Sequence, residues 1–294
     1  MTQRFYMVDV FAEQPFSGNP LAVFVGTDTL SGETMQRLAA EINFSETTFV
    51  SPEPEDDGSH RVRIFTPARE IDFAGHPILG TAWVLRHYVA SSPDAQMVLN
   101  IALGQVPVTF ETAADGSETA WFVAPPMSFG ATSPREPIAA ALGLEPGDID
   151  TRWPIQVVSA GTSATLVPLC SLDALRRSVL DLKAFSPLAA AGFPPLVYLF
   201  CQQARQPQND LSARFFFDAH GVREDPATGN GAAFLGAYLL AHQVLPGPGF
   251  EVRIEQGHEI RRPSLVRLRG AIAGGTTEVA VGGSVVATMR GELL

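Results

Sequence analysis

Cysteine is nearly missing from this chain: 294 residues contain two, Cys170 and Cys201. No CxxC and no Cys/His cluster accompanies them, so neither a disulfide framework nor a structural zinc site is expected. A reducing, cytoplasmic setting is the natural expectation. Basic charge is also scarce. Twenty Lys and Arg stand against 31 Asp and Glu, for a net charge of −11. The cations are scattered, whereas a nucleic-acid surface needs them clustered to displace counterions. No nucleic-acid partner is therefore expected. No uncharged apolar run reaches membrane-spanning length. Residues 1–10 lack a basic stretch followed by an apolar one, so neither a membrane span nor a signal peptide is expected. Nucleotide and protease signatures are missing too. There is no GxxxxGK[ST] and no HExxH. Gly229-Asn230-Gly231 lies between a strand pattern and a helix pattern, but the next glycine is Gly236, so GxGxxG is not met. Gly161-Thr162-Ser163 lacks the nucleophile-elbow pattern.

What is present is apolar and ordered. Hydrophobic residues make up 46% and charged residues 17%, enough to bury a core in each half. A length near 300 favours two domains. The first half opens with strand patterns at residues 5–10 and 21–25 across a Pro/Gly turn. A helical stripe follows, of Met35, Leu38, Ala39 and Ile42, with Ser31 as its N-cap. Strand patterns at 47–50 and 61–66 come next. A loop at 67–75 then leads to a helix over 77–88 that has almost no polar face, the mark of a buried helix. Pro77 suits its first turn. Strand patterns return at 97–103, 106–111 and 120–123.

The second half repeats this order. Strand patterns at 155–159 and 165–169 precede one helix, with Ser171 before it and Leu172, Leu175, Val179 and Leu182 along it. Strands at 196–200 and 214–217 lead through a loop to a second apolar helix over 232–242. Four more strand patterns close the chain. When Gly75 is set on Gly229, Glu70 falls on Glu224 and Leu85 on Leu239. The expected fold is α+β: two pseudo-symmetric lobes, each a mostly antiparallel sheet wrapped around a buried central helix. The boundaries read as residues 1–128 for the first lobe, rejoined by a strand at about 284–294, and 129–283 for the second. If the lobes face each other, both central helices present N-terminal N–H groups to the cleft. Such groups favour a carboxylate.

Three places hold candidate chemistry. Glu46 lies between a helix and a strand, flanked by Phe44, Thr47, Thr48 and Phe49. Apolar neighbours raise a carboxyl's pKa and suit it to proton transfer. A solvated loop Glu or a helix-end carboxylate remains the other reading. The corresponding stretch of the second half, 184–199, contains no acidic residue, so Glu46 would act without a mirror partner. His76 opens the first central helix beside Gly75, where the dipole favours its neutral form. It reads either as a substrate contact or as an N-cap-like structural His. Asp225 and Asn230 lie in the matching loop before and after Gly229. They read either as substrate-orienting groups or as ordinary turn residues.

These residues carry a resemblance. Phe16-Ser17-Gly18-Asn19-Pro20-Leu21-Ala22-Val23, Asn43-Phe44-Ser45-Glu46-Thr47 and Phe73-Ala74-Gly75-His76-Pro77 resemble the PhzF family. Glu224-Asp225-Pro226-Ala227-Thr228-Gly229 and Glu255-Gln256-Gly257 with Arg262-Pro263-Ser264 continue it over essentially the whole chain. The family is named for a phenazine-biosynthesis isomerase and shares the diaminopimelate-epimerase-like fold. The resemblance implies an isomerase with no cofactor and no metal, and a homodimer. It implies a small carboxylate-bearing substrate similar to trans-2,3-dihydro-3-hydroxyanthranilate. By that likeness Glu46 moves a proton between two carbons, His76 and Asp225 line the site, and Gly75, Gly229 and Asn230 bind substrate. The epimerase relatives use two cysteines; Ala74 and Thr228 stand at those positions here, so two-thiol racemisation is not expected. The phenazine enzyme has Ser after the second-lobe glycine, where this chain has the larger Asn230. A non-catalytic small-anion binder, and more weakly a nucleotide-dependent oxidoreductase, are the alternatives.

Overall fold

A computed structural model of the chain describes residues 3–90, 95–216 and 224–294. The chain divides into two compact units: Met1–Val123 with Val281–Leu294, and Ala124–Ala280.

In the first unit, strand Arg4–Val10 lies between Asn19–Val25 and Val285–Glu292, antiparallel to both. The turn joining the first two requires glycine at 18. Its φ is +67°, and a Cβ there would sit 2.3 Å from the Val10 carbonyl oxygen. Helix Gly32–Ile42 crosses over to Thr47–Val50, which pairs in parallel with Asn19–Val25. The Ser31 side chain caps that helix by accepting from the Thr34 N–H. His60–Phe65, Gln96–Ile101, Gly104–Thr112 and Glu118–Val123 extend the sheet, mostly antiparallel. Its axis is the helix Gly75–Val84, continued as one π-helical turn over Leu85–Val89. All of Gly75–Val84 is buried except Trp83. Strands from both ends of the unit pack on it, from Arg4–Val10 to Val285–Glu292. Phe24, Phe49 and Phe65 also pack with Met35 and Ala39 of the crossover helix. Strands covered on both faces need no polar alternation, hence a run such as Leu21-Ala22-Val23-Phe24-Val25.

The second unit follows the same order. Ile155–Ala160 and Thr162–Pro168 form a hairpin, and Val197–Cys201 pairs in parallel with the latter. Leu211–Phe216, Gly249–Gln256 and Ser264–Ala273 extend the sheet. The central helix is Gly229–Ala241, buried apart from Asn230 and Ala241. Its second glycine allows close packing. A Cβ at Gly231 would lie 2.5 Å from Cε2 of Tyr198. Gly231→Ala is therefore expected to lower stability by about 1–3 kcal/mol through overpacking of a rigid ring, read as a lower thermal midpoint. An unchanged midpoint would mean that the ring is free to shift.

The repeat reaches finer detail than element order. In each unit a two-residue strand precedes the central helix and pairs with the preceding strand: Phe65↔Glu70 and Ile64↔Ile71, then Phe216↔Glu224 and Phe215↔Asp225. In each, an Arg two residues before the pairing Phe grips the Glu with both arms. Arg63 meets Glu70 at 2.7 Å twice, and Arg214 meets Glu224 at 3.0 and 2.7 Å. Each guanidinium also stacks over that Phe.

Three sequence expectations differ from the structure. The first central helix starts at Gly75, not 77, and the second at Gly229, not 232, so the glycines belong to the helices. The single helix expected after Ser171 is two, Leu172–Arg177 and Leu182–Ala190. Between them the chain is extended at Ser178, Val179 is exposed, and Asp181 caps the second helix. Strand Ser128–Ser133 and helix Arg135–Ala141 have no counterpart in the sequence reading. Apart from Phe129 that strand is made of small residues, and it is exposed along nearly its whole length, so it lacks the alternation that marks a half-buried one. Phe217, the last residue of the strand pattern at 214–217, lies outside the described residues.

Candidate active site

Glu46 owes its position to three local features. Asn43 ends helix Gly32–Ile42 in the left-handed conformation, with φ +56° and its N–H on Ala39 O. Phe44 then packs against the aromatic cluster under the sheet. The chain enters strand Thr47–Val50, all four residues of which are buried. Two residues into it, the Thr48 hydroxyl meets that of Thr81 on the central helix at 2.8 Å. This buried bond ties the strand after Glu46 to the helix carrying His76. The result places Glu46 Oε2 3.6 Å from His76 Nδ1, with the side chains 15% and 5% exposed.

His76 is the second residue of the central helix, not its cap. The cap is Ala74, whose side chain makes no capping hydrogen bond. Burial pushes the imidazole pKa down to about 3, against a smaller opposing effect of the Pro20 carbonyl. At neutral pH the ring is uncharged, so its contact with Glu46 is not an ion pair. The buried His76 Nε2 finds no hydrogen-bond partner among the described residues. One ring nitrogen thus faces the Glu46 carboxylate, and the Pro20 carbonyl also acts on the buried ring. Which carries the proton is set by whichever partner accepts it.

The lowered His76 pKa makes a pH prediction. The unfolded ring, near 6.5, takes up a proton that the folded one refuses. The associated stability is therefore complete above pH 6.5 and declines as pH falls toward 3. The loss is about 1.4 kcal/mol per pH unit within that window. Urea unfolding at pH 6.5 and 5 is expected to differ by about 2 kcal/mol more in the wild type than in His76→Gln.

The second unit presents a different group at the matching helix end. Thr228 is the N-cap residue, but it does not cap its own helix. Its hydroxyl donates to Asp225 Oδ2 and accepts from Gln256 Nε2 at 3.1 Å. Gln256 Nε2 also donates to the Asp225 carbonyl at 2.9 Å. Asp225 is buried. Burial and the Asp225 charge together push the Tyr198 phenol far up, so it stays protonated. Tyr198 Oη, Asn230 Oδ1 and Gln256 Oε1 are buried without hydrogen-bond partners among the described residues. The position matching Glu46, just before strand Val197–Cys201, is Leu196, which is buried.

The structure thus brings Glu46, His76 and Gly75 together in the first unit. It brings Asp225, Gly229 and Asn230 together in the second. Thr81 and Tyr198 are not indicated by the sequence. Each is a polar residue inside an apolar buried run, and only the hydroxyl itself could have flagged it. Thr228 and Gln256 stand in recognisable motifs, but their shared hydrogen bonds are visible only in three dimensions. Among the described residues, no group of three His, Cys, Asp or Glu side chains is placed to hold a metal ion. No described helix is long and apolar enough to cross a membrane.

A family model described as phenazine biosynthesis-like protein (PhzC-PhzF) matches residues 8–291. The chain is 38% identical to trans-2,3-dihydro-3-hydroxyanthranilate isomerase of Pseudomonas aeruginosa over 295 residues, covering 99% of each. The crystal structure of a PhzF-family phenazine biosynthesis protein from Bacillus anthracis superposes with a TM-score of 0.89 at 27% identity, covering 100% of this chain and 99% of that one. A structure described as a predicted epimerase from Pseudomonas aeruginosa gives a TM-score of 0.81 at 32% identity, covering 99% of each.

Proposed function

The chain belongs to the PhzC-PhzF family and is an isomerase, and we propose that it moves a proton within a small carboxylate-bearing substrate, without a cofactor, using Glu46 as acid and base. The observation that carries this reading is the Glu46–His76 pair, 3.6 Å apart at the N-terminal end of a buried helix. Glu46 takes a proton from one carbon and returns it to another on the same face. The neutral His76 exchanges a hydrogen bond with the substrate and adds no charge. The N-terminal N–H groups at Gly75 favour a substrate carboxylate in an otherwise acidic protein. Asp225, Gly229 and Asn230 are proposed substrate contacts.

Two features support one-carboxylate chemistry over two-base racemisation. Ala74 has no acid or base, and the Thr228 hydroxyl is already engaged as donor and acceptor. Leu196, at the place matching Glu46, offers no second carboxylate. The name of the Pseudomonas aeruginosa relative makes trans-2,3-dihydro-3-hydroxyanthranilate the first compound to test. Asn230 is larger than the Ser expected for that substrate, so other cyclic and acyclic carboxylates belong in the same screen. The test is a thermal-shift screen of these compounds in deuterated buffer, followed by mass analysis. A stabilising compound that also gains deuterium or changes structure supports the reading. Stabilising compounds that stay unchanged and unlabelled would contradict it.

A further inference from the structure

The polar group at the second central helix fixes its own proton direction. Gln256 Nε2 carries hydrogens only, and it points to both the Asp225 carbonyl and the Thr228 hydroxyl oxygen, at 2.9 and 3.1 Å. Thr228 must therefore accept from Gln256. Its single proton is left for Asp225 Oδ2, which lies within hydrogen-bonding reach. Gln256 is 0%, Asp225 7% and Thr228 8% exposed, so water competes little for these bonds. The amide orientation is itself set. Reversing it would turn the Gln256 oxygen toward the Asp225 carbonyl, acceptor against acceptor.

The backbone around Gln256 holds it still. Gly257 has φ +76°, and a Cβ there would lie 2.5 Å from Pro226 O and 2.3 Å from Arg262 O. The loop is thus pressed directly onto the Asp225-Pro226 segment. On the other side, the Glu255 carboxylate accepts from the backbone N–H groups of Arg205 and Gln206 and from Asn209 Nδ2, at 2.7–2.8 Å. These bonds hold its pKa below the usual range despite burial. A residue anchored on both sides has few ways to turn.

We infer that Gln256 is a positioning residue for Asp225: its amide commits the Thr228 proton to the Asp225 carboxylate and so fixes the orientation of that carboxylate. Gln256 acts through Thr228 and the Asp225 backbone rather than on substrate. The role of Asp225 in turnover rests on the reading above; the hydrogen-bond relay does not.

The test separates the two. Without any substrate, a buried hydroxyl proton held between two partners exchanges slowly enough to give an NMR signal. The Thr228 hydroxyl proton is expected in the wild type and in Thr228→Ser, and is expected to be lost in Thr228→Val. In Gln256→Met, of similar volume but with no donor, the signal is expected to vanish or move while the thermal midpoint shows a folded protein. An unmoved signal in folded Gln256→Met would overturn the relay. Should that variant not fold, Gln256→Leu, which also has no donor, is read in the same way. With a substrate from the screen, Gln256→Met is expected to lower kcat about tenfold with KM nearly unchanged. The same substitution in an Asp225→Asn background should cost less than about twofold, because coupled residues are not additive. Equal losses in both backgrounds would show that Gln256 does not act through Asp225.

Discussion

Glu46→Gln is expected to reduce turnover by about 10²–10⁴-fold, the usual contribution of a positioned acid/base. The substitution keeps the shape and the hydrogen-bonding ability of the side chain but removes its capacity to accept and return a proton. The neighbouring His76 is a poor replacement. His76 has its pKa pushed down to about 3 by burial, so it is a weak proton acceptor at neutral pH. The equivalent position in the second unit is Leu196. Stability is expected to change by no more than about 0.5–1 kcal/mol, because the His76 contact is not an ion pair and the carboxylate is not fully enclosed. Steady-state kinetics with a screened substrate, alongside a thermal midpoint, checks both halves of the statement. A variant with normal kcat would remove Glu46 from the chemistry.

The second large effect concerns the repeated Arg–Glu fork. In the second unit Arg214 and Glu224 are 8% and 4% exposed, whereas Arg63 and Glu70 in the first are 37% and 41% exposed. Arg214 Nη1 also donates to the carbonyls of Leu175 and Ser178, at 3.0 and 2.7 Å, where helix Leu172–Arg177 ends. Removing Arg214 takes the partner from a buried carboxylate and a donor from each carbonyl, of which Leu175 O keeps the Ser178 hydroxyl at 2.7 Å. Arg214→Ala is expected to cost about 3–5 kcal/mol, the range for breaking a buried pair. Arg63→Ala, losing a solvent-screened pair of the same design, is expected to cost about 0–1 kcal/mol. Urea unfolding of the two variants side by side gives the comparison. Equal losses would mean that burial does not set the value of the fork. Because Glu224 precedes Asp225, Arg214→Ala is also expected to depress activity, and Arg63→Ala much less.

The architecture was legible because its signals are long and regular. Two apolar helices, each placed after a Gly-containing loop and a strand pair, declare a doubled unit before any coordinate is seen. Their starts were misplaced by two or three residues because Gly75 and Gly229 read as loop residues, although each is the first helical position. The exposed strand Ser128–Ser133 carries no periodic apolar pattern to find. The break at Ser178–Leu180 was hidden because apolar residues continue at helical spacing through a segment that the backbone leaves extended.

The site was legible in its letters and not in its bonds. Glu46, His76 and Asp225 stand in recognisable motifs, and spacing alone left each with an ordinary structural reading. Geometry joins Glu46 to His76 through the Thr48–Thr81 tie, two threonines far apart in sequence. It also shows that the N-cap-like reading of His76 fails, because Ala74 occupies the cap. The pairing of Thr228 with Asp225 and Gln256 has no sequence signal, since hydroxyl proton direction depends on which donor reaches the oxygen first.

The central claim is that Glu46 carries the proton. The most direct measurement is deuterium incorporation into a screened carboxylate in ²H₂O, by the wild type and by Glu46→Gln at equal ligand occupancy. The account predicts product formation and mass gain with the wild type. It predicts binding with neither product nor label in the variant. Labelling or turnover by Glu46→Gln at the wild-type rate would contradict it.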